Sequence, residues 1–177
     1  SVDWDLTATS DWTVEFWMQI NSNQVDYAAM LNRGDTSSPW NGWTIQFLPS
    51  AETIRMANNA DGSGGVTSSG AIAQDAWHHY AFVHDNSNNT LKLYIDGSED
   101  ASVTASTAIA WTNTAFPLAI GNQPGFSREL NGYMDMIRIS RVARYTGTFT
   151  PPTTAFTDDI NTNLILNADI NEGIWNE

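Results

Sequence analysis

The sequence carries 20 acidic residues against seven basic ones, so carboxylates are the first groups to weigh for chemistry. Hydrolysis of a glycosidic bond needs two of them about 5–10 Å apart across the scissile bond. On a β-strand such a pair stands two or four positions apart, because alternate residues share a face. Glu15 in WTVEFWMQI is the nearest candidate, and neither Trp17 nor Gln19 is acidic. Asp135 stands alone in GYMDMIRIS. Nothing resembles a nucleophile elbow, so a serine–histidine hydrolase finds no support either. These patterns predict a protein that is not an enzyme.

Histidine offers little more. His78 and His79 are neighbours and point to opposite faces of a strand. His78 and His84 share a face but would lie roughly 20 Å apart. A zinc ion, with ligand bonds of about 2 Å, cannot span that distance. All three are expected to pack and hydrogen-bond. Calcium asks for about six to eight oxygens from carboxylates, amides and carbonyls. Asp35 with Asn41, Asn58 and Asn59 with Asp61, and Asn122 with Asp135 supply such groups. The metal candidates are therefore Asp35, Asp61, Asn122 and Asp135, and Ca²⁺ is the one cofactor suggested. Asp61-Gly62 resembles part of a calcium loop, although Asp-Gly is also a common turn dipeptide.

Sugar recognition uses aromatic faces for C–H surfaces and amides or carboxylates for hydroxyls. The loops PWNGW and AWTNT hold both types. Trp40, Asn41, Asn59, Asp61, Trp111 and Asn113 are the ligand-binding candidates, whereas Trp43 is expected to begin a strand and enter the core. Three basic residues, Arg138, Arg141 and Arg144, fall within seven positions. They could hold an anion or brace the fold. Arg138 alternates with Ile137 and Ile139 and should project from the outer face of its strand. Tyr133, Tyr145 and Phe149 offer rings for stacking, and Glu129 and Asp135 offer carboxylates. Bracing is the favoured reading.

The elements that would position these groups are strands. WTVEFWMQI places Trp12, Val14, Phe16, Met18 and Ile20 on one face and Thr13, Glu15, Trp17 and Gln19 on the other. Short segments at 27–34, 42–48 and 52–59 are separated by polar turns. WHHYAFVHD and TLKLYIDG flank NSNN, a hairpin signal. PLAIGN and GYMDMIRIS follow. No segment keeps a helical apolar stripe over three turns. Recurrent strands between Gly, Asn, Ser and Asp clusters predict an all-β sandwich or barrel. Pro151-Pro152 cannot continue a ladder and marks the exit from the core.

Composition narrows the partners. A length of 177 residues, 41% hydrophobic and 11% aromatic, suits one globular domain with a full core. A net charge of −13 repels nucleic-acid phosphates and anionic lipid heads. No cysteine is present, which removes disulfides and thiolate metal sites. No apolar run approaches the roughly 20 residues that span a membrane. The opening SVDWDLTATSDW has neither a signal-peptide pattern nor an initiator methionine, which suggests a fragment or a processed product.

Three stretches, WTVEFWMQI, WHHYAFVHDNSNNTLKLYIDG and LNGYMDMIRISRVARYTGTFTPP, together resemble a laminin-G-like, concanavalin A-like jelly roll. The versions in phage tail and other virion proteins and in secreted bacterial proteins are the nearest in kind. The resemblance covers about residues 2 to 157. It implies an all-β, antiparallel two-sheet jelly-roll sandwich of six or seven strands per sheet, with ligands on a concave sheet or its rim loops. Many relatives bind carbohydrate or protein, and some bind calcium. Glucanase relatives carry E-x-D-x-E on one strand face, and that motif does not occur here. Relatives also begin with a strand like LLLHFDG. Here only NLILNADINEG, residues 163–173, looks like it. It would start a following repeat or close this sandwich from its far end. The expected organisation is a sandwich over 1–157 and a C-terminal strand and linker over 158–177. The function implied is a non-catalytic recognition module of a virion appendage, a virion surface or a secreted adhesive protein. Its partners would be a glycan, a host or virion surface protein, and further copies of itself. A structural subunit or spacer without glycan binding is the alternative, and a glycoside hydrolase ranks last.

Overall fold

The computed structural model describes residues 6–34, 42–57, 65–105 and 116–168. Eleven strands and no helix appear among them, arranged as two antiparallel sheets. The elements are β1 (Trp12–Ile20), β2 (Ala29–Gly34), β3 (Gly42–Leu48), β4 (Thr53–Ala57), β5 (Val66–Thr67), β6 (Trp77–Asp85), β7 (Thr90–Ile95), β8 (Ser98–Thr104), β9 (Ala119–Ile120), β10 (Gly132–Ser140) and β11 (Thr162–Leu166). The six-stranded sheet runs β11-β10-β1-β6-β7-β8, and the five-stranded sheet runs β5-β4-β3-β2-β9. This is the sandwich the sequence implies, with one strand fewer in the second sheet among the described residues.

Alternation explains which side of each strand is buried. Val14, Phe16, Met18, Tyr80, Phe82, Leu91, Leu93, Ile137 and Ile139 of one sheet meet Trp43, Ile45, Phe47, Ile54 and Met56 of the other in a single core. Trp43 is 1% exposed, as its place in β3 requires. β8, SEDASVT, was not foreseen. It is an edge strand of mostly exposed polar residues, so no apolar face announces it. Residues 162–166 pair with β10 and so lie in the six-stranded sheet of this sandwich.

The hairpin between β7 and β8 turns on Asp96 and Gly97, with φ of 49° and 78°. Two left-handed residues make the tight connection whose twist matches its strands. Gly97 has a second constraint. A Cβ there would sit 1.9 Å from the carbonyl oxygen of Phe149, and the Phe149 amide donates to the Gly97 carbonyl at 2.9 Å. The turn therefore docks the chain that follows β10.

That following chain, residues 142–156, lies across the outer face of the six-stranded sheet. Ala143, Tyr145 and Phe149 pack on Ala81, Val83 and Tyr94, while Phe156 packs with Trp17 and Met136. The Trp17 indole donates to the Pro152 carbonyl at 2.8 Å. A β-bulge in β10 prepares the surface. Three steps from Asp135 to Arg138 oppose two from Trp17 to Glu15, and Met136 takes a φ of 46°. The extra residue turns Met136 outward beneath this strap, although simple alternation would not put it on the same face as Asp135.

Candidate functional site

The strap covers the central strands of one sheet face, over Trp17, Ala81, Val83, Tyr94 and Met136. Glu15, the nearest candidate for catalysis, lies beneath it with a fully buried side chain. Its carboxylate accepts from Arg138 Nη2 at 2.7 Å, Tyr145 Oη at 2.7 Å and His79 Nε2 at 3.2 Å. Burial alone would raise its pKa. The His79 hydrogen bond, the Arg138 charge and the Tyr145 hydrogen bond outweigh that and hold it below the ordinary value. A carboxylate so enclosed meets no substrate.

The arginine cluster is likewise structural. Arg138 does project from the outer face of its strand, but the strap covers it. Its ring partner is Phe156, 3.9 Å from the guanidinium carbon, and its carboxylate is Glu15, not the Asp135 or Glu129 expected from proximity in sequence. Arg144 donates to Ser140 Oγ, Asp159 Oδ1 and Thr162 Oγ1. Arg141 donates to the Ile160 carbonyl. The three histidines are also accounted for by packing and hydrogen bonds. His78 pairs with Asp96 at 2.6 Å, His79 with Glu15, and His84 Nδ1 with the Ser10 carbonyl at 2.7 Å while stacking on Trp12.

The five-stranded sheet lies on the other side of the core. Trp40, Asn41, Asn59, Asp61, Trp111, Asn113 and Asp35 lie outside the described residues. The chain ends that flank them are described, and they converge. Gly34 pairs with Gly42, Ala57 pairs with Thr44, and Gly65 lies against Met56 and Ala57. The Phe116 carbonyl accepts from Arg33 Nε at 3.3 Å. Segments 35–41, 58–64 and 106–115 thus each have an end at the same end of this sheet. Gly42 makes the close approach possible: its φ is 107°, and a Cβ would lie 2.0 Å from the Arg33 carbonyl oxygen. Beside this end is a cleft of about 260 Å³ lined by Asn32, Gly34, Phe116, Pro117, Pro124 and Gly125. A hollow of about 370 Å³ along β11 and residues 156–158 is larger, but Phe156, its one aromatic ring, is turned into the Trp17 and Met136 cluster.

The outer face of the same sheet bears Thr44, Gln46 and Arg55, which alternate with the core residues Ile45, Phe47, Ile54 and Met56. The Arg55 guanidinium carbon lies 5.5 Å from the centre of the Tyr27 ring, and that of Arg128 lies 4.9 Å from it. Arg128 also sits 4.4 Å from the Phe126 ring. Tyr27, Arg55 and Arg128 were missed from sequence. Arg55 left a trace as a charged residue alternating with core positions in ETIRMANN; Tyr27 sits in a turn and Arg128 in an irregular segment, and neither left one.

The two remaining metal candidates are not brought together. Asn122 follows β9 in the five-stranded sheet, whereas Asp135 lies on the outer face of the six-stranded sheet opposite Trp17. Asp135 Oδ1 accepts from the amides of Met136 at 2.5 Å and Ala168 at 2.7 Å, so it stabilises the bulge. Among the described residues no group of three or more His, Asp or Glu could hold a metal ion.

The sequence profile of the concanavalin A-like lectin/glucanases superfamily (Laminin_G_3) matches residues 2–146. No curated protein sequence matches the chain. Solved structures share the architecture at low identity. A candidate carbohydrate-binding protein from Bacteroides ovatus ATCC 8483 superposes with a TM-score of 0.66 at 14% identity, covering 90% of this chain and 45% of its own. The chain thus spans less than half of that protein. The CBM40 domain of the Ruminococcus gnavus IT-sialidase, solved with α2,3-sialyllactose, superposes with a TM-score of 0.63 at 12% identity, covering 78% and 79%. The binding domain of Paraclostridial Mosquitocidal Protein 1 gives 0.60 at 17%, covering 80% and 36%.

Proposed function

The chain belongs to the concanavalin A-like lectin/glucanases superfamily, and from that premise we propose that it is a non-catalytic glycan-recognition module. The observation that carries this reading is the convergence of three segment ends at one end of the five-stranded sheet, beside a cleft. Those segments hold Trp40 and Asn41, Asn59 and Asp61, and Trp111 and Asn113, the aromatic and amide types that fit sugars. In the opposite sheet the strap covers Trp17, Ala81, Val83, Tyr94 and Met136 on the outer face. The neighbours solved with sialyllactose, or described as carbohydrate-binding, use the same architecture and support the reading.

Ca²⁺ is the proposed ion for the same loops, through Asp35 and Asp61. The parent protein would be a virion appendage or a secreted adhesive protein. A glycan array probed with and without a chelator tests both points. Saturable binding that a chelator weakens is the expected result. Silence across the array, with defined oligomers in solution, would instead favour a spacer or subunit-contact role.

A further inference from the structure

The cleft of about 260 Å³ beside the converging segment ends has a selective lining. Phe116, Pro117 and Pro124 supply apolar walls, and Gly34 and Gly125 add no side chain. Asn32 is the one polar side chain among the six, and none of them is ionisable. Asn32 stands in β2 opposite Thr44, on the side turned away from the core, where a polar residue is ordinarily wetted. It is nevertheless only 3% exposed. No hydrogen bond reaches its carboxamide among the described residues.

An amide withdrawn from water without a partner destabilises a fold, and an apolar side chain of the same shape would serve packing better. Unmet amide atoms recur in this neighbourhood. Asn122 Oδ1 and Gln123 Nε2 are buried without a hydrogen-bond partner too, and these two residues lead into Pro124 and Gly125 of the cleft wall. The wall is fixed to β2 and to itself. The Gly121 amide donates to the Met30 carbonyl at 2.8 Å, and the Phe126 amide donates to the Gln123 carbonyl at 3.2 Å. Asn32 is therefore held in place, with its hydrogen-bonding capacity unspent, against apolar walls.

We infer that this cleft is a subsite for the acetamido group of an N-acetylated hexosamine. The inference rests on the reading of this module as glycan-binding and names the ligand class. An acetamido group carries one methyl and one amide. The methyl suits Phe116, Pro117 and Pro124, and the Asn32 carboxamide can donate to the acetamido carbonyl or accept from its N–H. A plain hexose would instead bring hydroxyls to walls that pair with none of them. A charged substituent would find no counter-charge in the lining, and the field of a −13 molecule repels an anion. At about 260 Å³ the cleft lies just below the roughly 300–1,000 Å³ of pockets that enclose drug-sized ligands, so it suits one sugar unit or its substituent.

An array of matched oligosaccharides ending in glucose, glucosamine or N-acetylglucosamine, and in galactose, galactosamine or N-acetylgalactosamine, tests the subsite. The expected hits carry the acetamido group and lose binding when it is replaced by hydroxyl or amine. Asn32→Leu should weaken those hits about three- to tenfold, as loss of one uncharged hydrogen bond predicts, while the melting temperature holds or rises because an unpaired buried amide is gone. Phe116→Ala removes a wall but keeps the backbone carbonyl that accepts from Arg33, and it should weaken the same hits. Equal binding with and without the acetamido group would overturn the subsite and leave glycan recognition standing. Acetamido hits equally tight in both folded variants would overturn it too, as would a lower melting temperature of Asn32→Leu with unchanged affinity. An empty array would remove the glycan reading itself, and the subsite with it.

Discussion

Glu15 ties three separate segments together: His79 from β6, Arg138 from β10 and Tyr145 from the strap all reach its two oxygens. Removing one partner of a buried charged pair leaves the other uncompensated, at a cost of about 3–5 kcal/mol. Glu15→Gln should therefore lower the unfolding free energy by about that amount, as denaturant titration would show. The carboxyl is held below its ordinary value of 4.5, so its contribution is present above that pH and is lost as pH falls through the lower folded value. The native protein should lose stability as pH drops below about 4.5, and the Gln variant should lack that part of the loss. Arg144→Ala cuts bonds to Ser140, Asp159 and Thr162 and should lower the melting temperature by about 2–4 °C. An unchanged midpoint would contradict its bracing role. The sequence revealed that these arginines brace, because aromatic and acidic groups surround them. It concealed their partners, since Glu15 lies 123 residues from Arg138.

At the scale of elements, the alternating strands were legible because each has one buried face. WTVEFWMQI, GWTIQFL, WHHYAFVHD and GYMDMIRIS match β1, β3, β6 and β10 residue for residue. β8 was hidden by its polar edge position, and the β10 bulge by the absence of any local glycine or proline signal. The strap has no period of its own; its residues are ordered by contacts with a sheet far away in sequence. The candidate loops rest on composition alone and lie outside the described residues, while the Tyr27, Arg55 and Arg128 group depends on segments far apart in sequence meeting. Gly97 joins two of these elements. Gly97→Ala would place a Cβ on the Phe149 carbonyl and a side chain in a left-handed residue, which alone costs roughly 1–2 kcal/mol. Faster hydrogen exchange at the Phe149 amide, whose acceptor is Gly97, should accompany the destabilisation.

In the whole molecule the two sheets have unequal duties. One packs its inner face on the core and carries the strap over the central strands of its outer face. The other keeps the cleft, the converging segment ends and the paired arginines. On the proposed glycan-binding reading, this division gives recognition to the second sheet. It also bears on where the domain can be cut. The family match ends at residue 146, yet Phe149, Pro152 and Phe156 still cover Tyr94, Trp17 and Met136 beyond it. A recombinant chain trimmed at that boundary would bare an oily stripe over a charged knot that can no longer stay dry. It should take up a hydrophobic dye and clump, whereas one carried through residue 168 should stay clear.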